Sequence, residues 1–483
     1  MTAPTPDERN QLRSAHGRSI TAGPVAVRGL PGALALGAGT ALRLDGALDP
    51  GLLPLRRLRV RFGDLERDVD GFALAESQGA KELLWWSLVP VPLGARPGPT
   101  KACLLADGPS GTVELPLGEV RVEPAREPPV VTALPDEDGS RPLIAICMAT
   151  YEPGMEWLAR QLGSIRAQTW ERWVCLISDD ASSPAASEAL QRAVGGDPRF
   201  AVSRSEHRLG FYGNFERALG MVPADAAMVA MADQDDRWDP DKLEALAATL
   251  AAHPDAGLAY SDMRIVDEGG RLLSDTFWYL RRNRCDDVAS MLIANTVTGA
   301  ASLFRRELLE TALPFPPGGT SEHYHDQWLA LCSLALGEIA YLDRPTYDYT
   351  RHGESVTIVA AAEWYLPPRG LRERVRIRSR RLLRRLRMGL GGPIWRDMYL
   401  DRILMIRQLV AVIELRAGER IRPGRRRALG RLADADSPRS AAWLALRLLR
   451  PLIGRNETLA RERVLVGALL WRAIVVRRAR RRR

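Results

Sequence analysis

The hydrophobic pattern changes character twice along the chain. Between residues 23 and 126, short apolar runs alternate with Gly, Pro and Asp breakers. Leu55–Phe62 and Val113–Val122 alternate in part, and Leu83–Val91 is apolar almost throughout. Short strands at this spacing predict a small β-sandwich. From residue 141 onward, continuous apolar runs at Pro142–Met148, Trp173–Ser178, Phe200–Ser203 and Ala227–Met231 are separated by stretches of helical spacing at Glu156–Gln168, Ala185–Val194 and Tyr212–Leu219. Strands apolar on both faces, alternating with helices, predict a parallel sheet covered on both sides: an α/β nucleotide-binding architecture. After about residue 361 the chain is Arg-rich and helical. The expected divisions are a disordered leader (1–22), a β-sandwich-like domain (23–126), a linker (127–140), an α/β domain (141–360) and a basic helical region (361–483).

An apolar fraction of 46% excludes wholesale disorder. The net charge of +9 conceals a polarity. Residues 363–483 hold 33 Arg, no Lys and 10 acidic residues, a balance of +23, whereas the first 362 residues hold 35 basic and 49 acidic residues, a balance of −14. An acidic body joined to an Arg-rich end points to different partners for the two parts. The five cysteines are widely spaced with no CxxC pair, and most lie in apolar runs, which predicts buried free thiols in a reducing compartment. The N-terminus lacks the apolar core of a signal peptide, and no uncharged apolar run approaches the ~20 residues needed to span a bilayer. The expected location is the cytoplasm.

In open α/β sheets, ligands bind beyond the carboxyl ends of the strands. Three such ends are polar: Ala149-Thr150-Tyr151-Glu152-Pro153, Asp179-Asp180-Ala181-Ser182 and Asp233-Gln234-Asp235-Asp236-Arg237-Trp238. Three carboxylates within four residues repel one another unless a cation or several donors sit among them. The Asp-x-Asp spacing of Asp233 and Asp235 suits a hard divalent ion with room left for phosphate oxygens. Asp239, ahead of Pro240, reads instead as a helix start. Asp179 and Asp180 read equally well as ligand-binding groups or as turn and cap residues.

These segments, with Gln168-Thr169-Trp170, Thr298–Arg306, His325–Ala330 and Tyr349–Val356, occur in an order and spacing that resembles glycosyltransferase family 2, in its bacterial rhamnosyltransferase-like branch. The resemblance spans about residues 142–357. It implies a GT-A-type sheet flanked by helices, and an inverting, metal-dependent transfer of a sugar from a nucleoside diphosphate to a cell-envelope or polysaccharide acceptor. It implies Thr150, Tyr151, Glu152, Asp179, Asp180, Arg208, Gly210, Asn214 and Asp233 at the nucleotide. Asp235, Asp233 and His352 would hold Mg²⁺ or Mn²⁺, Asp326 would be the general base, and Gly299, His325 and Trp328 would lie at the sugar or acceptor. The best donor by resemblance is dTDP-rhamnose, then a UDP-hexose. The chain departs from the family at Glu152 (often Asn), Ala181 (usually Gly) and His325 (often Glu).

The chemistry asks for such groups. A departing diphosphate gains negative charge that a divalent cation can stabilise. The attacking hydroxyl has a high pKa, so a positioned carboxylate should take its proton as the new bond forms. Asp326 also reads as a helix N-cap, and Trp328 and Phe211 as core aromatics or as sugar-stacking ones.

Basic flanks around the apolar residues of Arg461–Arg478, and the similar Ala441–Arg450, suit helices lying on an anionic membrane surface. That predicts a peripheral protein on the inner face of the cell membrane with a lipid-linked or polysaccharide acceptor, and no nucleic-acid partner. The alternative is that these helices pack on the enzyme. A sugar nucleotidyltransferase is disfavoured because Ala149–Gly154 has one glycine and no basic residue. The other function class is a sugar-nucleotide- or glycan-binding protein with a degenerate transferase domain.

Overall fold

Strands β1 (Ile20–Ala22), β2 (Val25–Arg28), β3 (Ala33–Ala35), β4 (Thr40–Leu48), β5 (Arg57–Phe62), β6 (Leu65–Asp68), β7 (Gly71–Ser77), β8 (Ala80–Val91), β9 (Gly98–Gly108) and β10 (Gly111–Glu123) pair into two sheets, ordered β1-β2-β4-β8-β7 and β3-β10-β9-β5-β6. The computed structural model describes residues 20–22, 25–35, 39–52, 54–77, 80–91, 96–123, 141–279, 281–318, 324–351, 393–459 and 461–480. The linker at 127–140 and residues 361–392 of the Arg-rich region lie outside these. Residues 20–22, expected within the leader, form a strand that pairs antiparallel with Val25–Val27.

Leu42, Leu44, Val60, Trp85, Val89, Leu104 and Val120 fill the space between the two sheets. In β8 the pleat sends Trp85 into that space and Trp86 to the opposite face, where it joins the core of the rest of the molecule. This strand is apolar on both faces because both are covered.

The third sheet runs β13-β12-β11-β14-β18-β16-β19-β15, with β17 paired on β16. Its strands are β11 (Ile144–Thr150), β12 (Trp173–Asp179), β13 (Phe200–Arg204), β14 (Met228–Ala232), β15 (Arg237–Trp238), β16 (Ala256–Asp267), β17 (Leu272–Ser274), β18 (Ser302–Arg305) and β19 (Glu338–Arg351). The first four by position are parallel, as the apolar runs predict. The sheet is nonetheless mixed, because β18 lies antiparallel between β14 and β16. An antiparallel strand buried on both faces reads as apolar like a parallel one, so the sequence pattern did not distinguish it.

Helices α1 (Met155–Arg166), α2 (Pro184–Val194), α3 (Gly210–Leu219), α4 (Lys242–Ala252), α5 (Val288–Ile293), α6 (Leu309–Ala312) and α7 (His325–Leu336) pack around this sheet. α1 buries Leu158, Leu162 and Ile165, one helical stripe. α2 starts at an Ser183 cap with Pro184 in its first turn, and ends at Gly195 in the left-handed region (φ 66°).

The C-terminal helices α8 (Pro393–Met398, continued by a π-helical stretch to Ile403), α9 (Leu404–Ala417), α10 (Pro423–Ala433), α11 (Pro438–Arg447) and α12 (Glu462–Arg480) join the other two units. Gln408 Nε2 donates to Ala41 O (2.7 Å) in the sandwich and to Pro317 O (3.0 Å) in the α/β domain. Arg407 pairs with Asp70 (2.9 Å) and Asp436 (3.2 Å). Arg416 donates to Gly39 O, Thr311 O and Ala312 O. Much of the basic charge thus serves carbonyls and acids of the other units. The membrane assignment of Arg461–Arg478 is corrected by α12, whose Leu465, Ala468, Leu469, Trp471 and Val475 are buried. Trp471 lies 6.2 Å from Trp86 and 5.8 Å from Tyr399 between ring centroids, so sandwich and helices cover the stripe that would have faced lipid. No described helix is long and apolar enough to cross a membrane.

Candidate active site

The carboxyl ends of β11, β12 and β14 meet in one region, and hydrogen bonds lock them together. Asn214 of α3 donates to Thr150 O (3.1 Å) and Ser178 O (2.9 Å), and its Oδ1 accepts from Ser178 Oγ (2.6 Å). The side chain placed at the nucleotide by resemblance is buried and fully used in fastening β11 to β12. Its contribution in this arrangement is to hold the pocket wall.

Asp179 and Asp180 are both buried. Asp179 accepts from Thr150 Oγ1 (3.2 Å), Ser182 Oγ (2.5 Å) and Ser182 N (3.3 Å), with the Arg204 guanidinium 3.6 Å away. Asp180 accepts from Leu209 N (2.5 Å) and Gly210 N (2.9 Å) at the start of α3. Gly210 takes φ 73°, a conformation suited to glycine. Both aspartates thus make turn and cap contacts, and the Gly210 amide donates to a carboxylate.

Glu152, though exposed, is bound to the start of α2. Its carboxylate accepts from Ser183 N (2.5 Å) and Ser183 Oγ (3.1 Å), and its own N–H donates to Ser182 Oγ (2.9 Å). Tyr151 is held at its backbone by Gln234, which accepts from Tyr151 N (2.9 Å) and donates to Tyr151 O (3.3 Å). The glutamine between the two aspartates thus ties the β14 turn to the β11 turn. Tyr151 itself remains 38% exposed. The Arg208 guanidinium lies over it, 3.3 Å from the ring centroid, and 3.7 Å from Asp180.

Beyond β14, burial raises the Asp233 carboxyl well above its ordinary value, and the charges of Asp235 and Asp326 add to the shift. Asp326 therefore sits within electrostatic reach of the acidic turn. Asp236 is buried, and burial and its acidic neighbours raise it strongly, with Lys242 and the Thr350 backbone opposing. The nearby cation is Lys242. Fully buried, it donates to Ala300 O, lies 3.8 Å over Trp238 and 4.4 Å over Tyr347, and is pushed down by burial while Asp236 and Asp233 hold it up. Sequence reasoning used Lys242 only to mark a helix start. A lysine just after five acids (Asp233, Asp235, Asp236, Asp239 and Asp241) was the available signal.

Asp326 is the second residue of α7, two positions past the N-cap Tyr324, so it is not the cap. Its Oδ1 accepts from Gln327 N (2.6 Å). Burial raises its pKa to about 7, against hydrogen bonds from Gln327, Gly299 and Asn295. Arg281, stacked at 5.8 Å and 5.5 Å on Phe277 and Trp278, feels the Asp326 charge and was not anticipated.

Three residues assigned to sugar or acceptor have packing roles here. Trp328 is buried, its Nε1 donating to Ala312 O (2.8 Å), because α7 turns that face to the core. His325 packs 3.9 Å from the Phe215 ring centroid, and burial drops its pKa to about 3, so it is neutral at ordinary pH. A Cβ on Gly299 would come within 2.6 Å of His325 Nε2, so glycine permits this close approach. Phe211 remains 42% exposed beside Tyr324 (5.9 Å between ring centroids), an aromatic surface open to a ligand. His352 lies outside the described residues.

Residues 145–313 match the family model described as Glycosyl transferase family 2. The chain carries a glycosyl transferase family 2 domain. Relatives of this transferase domain include EpsH of Bacillus subtilis (strain 168), named as a glycosyltransferase, 26% identical over 220 residues, 44% of this chain and 62% of EpsH. The O-antigen biosynthesis protein RfbC of Myxococcus xanthus is 26% identical over 271 residues, 55% of this chain and 20% of RfbC. The succinoglycan biosynthesis protein ExoW of Rhizobium meliloti (strain 1021) is 41% identical over 93 residues, 19% of this chain and 28% of ExoW. The chain thus spans less than two thirds of the length of each of these relatives. Among solved structures, S. aureus TarS 1–349 in complex with UDP-GlcNAc aligns at 16% identity and a TM-score of 0.41, covering 69% of this chain and 91% of that one.

Proposed function

We propose that the protein is an inverting, metal-dependent glycosyltransferase that moves a sugar from a nucleoside diphosphate to a hydroxyl of a cell-envelope or polysaccharide acceptor. The observation that carries this reading is the approach of Asp326, from the first turn of α7, to the acids closing β14, close enough to raise the Asp233 carboxyl. One group faces the leaving diphosphate and a separate base faces the incoming alcohol.

Among the described residues no three metal-ligating side chains converge on one point, so the cation reading rests on the Asp233–Asp235 pair at the end of β14. Asp233 and Asp235 repel each other. Asp235 and Asp233, with His352 by resemblance, would hold Mg²⁺ or Mn²⁺. When bound, the ion supplies positive charge to the diphosphate as it departs. Thr150, Tyr151 and Arg208 line the nucleotide side, with Arg208 reaching over the exposed Tyr151 face. Glu152, Asp179, Asp180, Gly210 and Asn214 shape that side from behind.

Asp326 in its carboxylate form takes the proton of the attacking hydroxyl. As the acceptor oxygen bonds to the anomeric carbon, the anomeric C–O bond to phosphate breaks and its electron pair leaves with the diphosphate. Attack opposite the leaving group inverts the anomeric carbon. Gly299 and His325 set the position of α7 and hence of Asp326.

dTDP-rhamnose is the first donor to try and UDP-hexoses the second. The polysaccharide names of RfbC and ExoW support an envelope acceptor, lipid-linked or polymeric. Such an acceptor places the enzyme peripherally at an anionic membrane surface on the cytoplasmic side, contacted through the C-terminal Arg-rich part.

The test is release of nucleoside diphosphate from a panel of nucleotide sugars with Mn²⁺ and a carbohydrate acceptor, for wild type and Asp326→Asn. Turnover in the wild type, lost in the variant with donor binding kept, supports the reading. Donor binding without turnover in the wild type would leave a sugar-nucleotide-binding protein instead.

A further inference from the structure

Four large aliphatic side chains stand out from the surface in one short stretch: Leu446 at 66% exposure, Leu449 at 56%, Leu452 at 81% and Ile453 at 73%. They lie at the end of α11 and on the 3₁₀ turn Arg450–Ile453 that follows it, which Gly454 closes in the left-handed region (φ 74°). Their spacing of three to four residues puts them on one side of the turn. Arg447 and Arg450 between them face the other way and are buried or nearly so. Arg450 pairs with Asp287 (2.9 Å) and Glu457 (2.7 Å), and Arg447 with Asp287 and Glu462 (3.4 Å each) and with Ser290 Oγ (2.7 Å).

We infer that this apolar turn is the surface by which the enzyme rests on an anionic lipid bilayer, with the acceptor side of the catalytic site held in register to it. The inference deepens the membrane reading proposed above and replaces the helix Arg461–Arg478, whose apolar stripe is covered.

Charge and size favour a bilayer as the occupant. From Ser437 to Asn456 the sequence has four arginines (Arg439, Arg447, Arg450, Arg455) and no acidic residue. Arg439 is exposed and Arg455 half-exposed beside the aliphatic tips. Aliphatic tips with basic neighbours match the boundary between headgroups and acyl chains of an anionic leaflet. Four such side chains amount to roughly 400 Å² of apolar area, about half of the ~800 Å² per partner that a standard protein interface buries. A second copy would need more surface than this turn offers.

The turn is rigidly linked to the catalytic residues. Asp287, gripped by Arg447 and Arg450, also caps α5 by accepting from Ala289 N (3.1 Å) and Ser290 N (3.4 Å). The other end of α5 is held by Gln327 Nε2, which donates to Met291 O (2.8 Å) and Leu292 O (3.1 Å), and Gln327 follows Asp326. On the far side of the turn, Asn456 Oδ1 accepts from Arg282 N (2.9 Å), next to Arg281, which feels the Asp326 charge. A bilayer under Leu452 would therefore be tied through Asp287, α5 and Gln327 to the neighbour of Asp326.

The experiment is flotation of the full chain with vesicles of equal phosphatidylglycerol and phosphatidylcholine, beside vesicles of phosphatidylcholine alone. Wild type should float with the anionic vesicles. Leu452→Ser/Ile453→Ser should lose at least about tenfold in vesicle affinity, since several buried methylenes are removed. Arg439→Glu/Arg455→Glu should lose binding in a salt-dependent way. Both variants should keep wild-type melting temperature and transfer to a soluble acceptor. Undiminished vesicle binding by Leu452→Ser/Ile453→Ser, or no binding by wild type, overturns the inference, as does a dimer in the wild type that this variant dissolves. Vesicle binding without any sugar transfer would instead fail the proposed activity and leave this surface standing.

Discussion

The guanidinium of Arg208 lies 3.3 Å from the centre of the Tyr151 ring, joining the turn after β11 to the segment that begins α3. Both side chains are substantially exposed and face the region that would hold the nucleotide. A stacked, exposed cation–π pair is worth ~0.5–1 kcal/mol, and Arg208 also offers charge to a phosphate or an aromatic face to a base. Arg208→Ala should raise KM for the nucleotide sugar by about tenfold and change kcat less. Steady-state kinetics with varied donor checks it; a fall in kcat at unchanged KM would assign Arg208 to the chemical step instead.

Burial raises Asp326 to about 7, with Gln327, Gly299 and Asn295 opposing the shift. A base works as its carboxylate, so activity should be low below this value, rise about tenfold per pH unit as the proton is lost, and level off above it. Asp326→Asn should lower kcat by about 100- to 10,000-fold and flatten the profile through this window. An unchanged inflection in the residual activity of the variant would show that another group titrates.

Much of the fold can be read from local pattern, because the deciding forces there are local. The apolar strands β11, β12 and β14 and the Ser183-Pro184 start of α2 follow from burial and capping within a few residues. What the pattern misses depends on partners distant in sequence. Arg461–Arg478 has the same amphipathic spacing whether lipid or Trp86 covers it, and only the fold brings Trp471 to Trp86. In the site, the positions of Asp233 and Asp326 follow from strand and helix ends. The inward turn of Asn214 and Trp328 depends on which face α3 and α7 give the sheet.

Ala181 sits at φ 56° between Asp180, just past β12, and the Ser182 hub. A non-glycine residue in this region carries strain on the order of 1 kcal/mol, and the extra backbone entropy that glycine adds to the unfolded chain, about 0.4–1 kcal/mol, offsets much of that gain. Ala181→Gly should therefore stabilise the protein by up to about 0.6 kcal/mol, read as a shift of the urea midpoint at constant slope. Destabilisation would mean that the alanine methyl makes packing contacts worth more than the strain.

Asp233, Asp235 and Asp236 follow β14, and the Asp235 charge adds to burial in raising the Asp233 and Asp236 carboxyls. A divalent ion bound there stabilises only the folded chain, by ~2.7 kcal/mol at a hundredfold excess over its dissociation constant. Mn²⁺ should raise Tm of the wild type by several degrees, roughly what that free energy gives in a chain this long. Asp235→Asn should abolish most of the increment. An equal rise in the variant would place the ion elsewhere.

Lys242 and Asp236 are buried side by side in electrostatic terms, each pushed towards its neutral form by burial and held charged by the other. The ammonium has a carbonyl, Ala300 O, and two aromatic faces, and the Asp236 carboxylate has Lys242 and the Thr350 backbone. Removing the cation leaves the carboxylate without a compensating charge, which costs about 3–5 kcal/mol when a buried pair is broken at one end. Lys242→Met should show that loss in urea denaturation. Adding Asp236→Asn should recover a large part of it, because a neutral side chain no longer needs the cation; the double-mutant cycle measures the coupling directly. If the double variant is as unstable as the single one, Lys242 stabilises the protein through Ala300, Trp238 and Tyr347, and its charge opposite Asp236 is incidental.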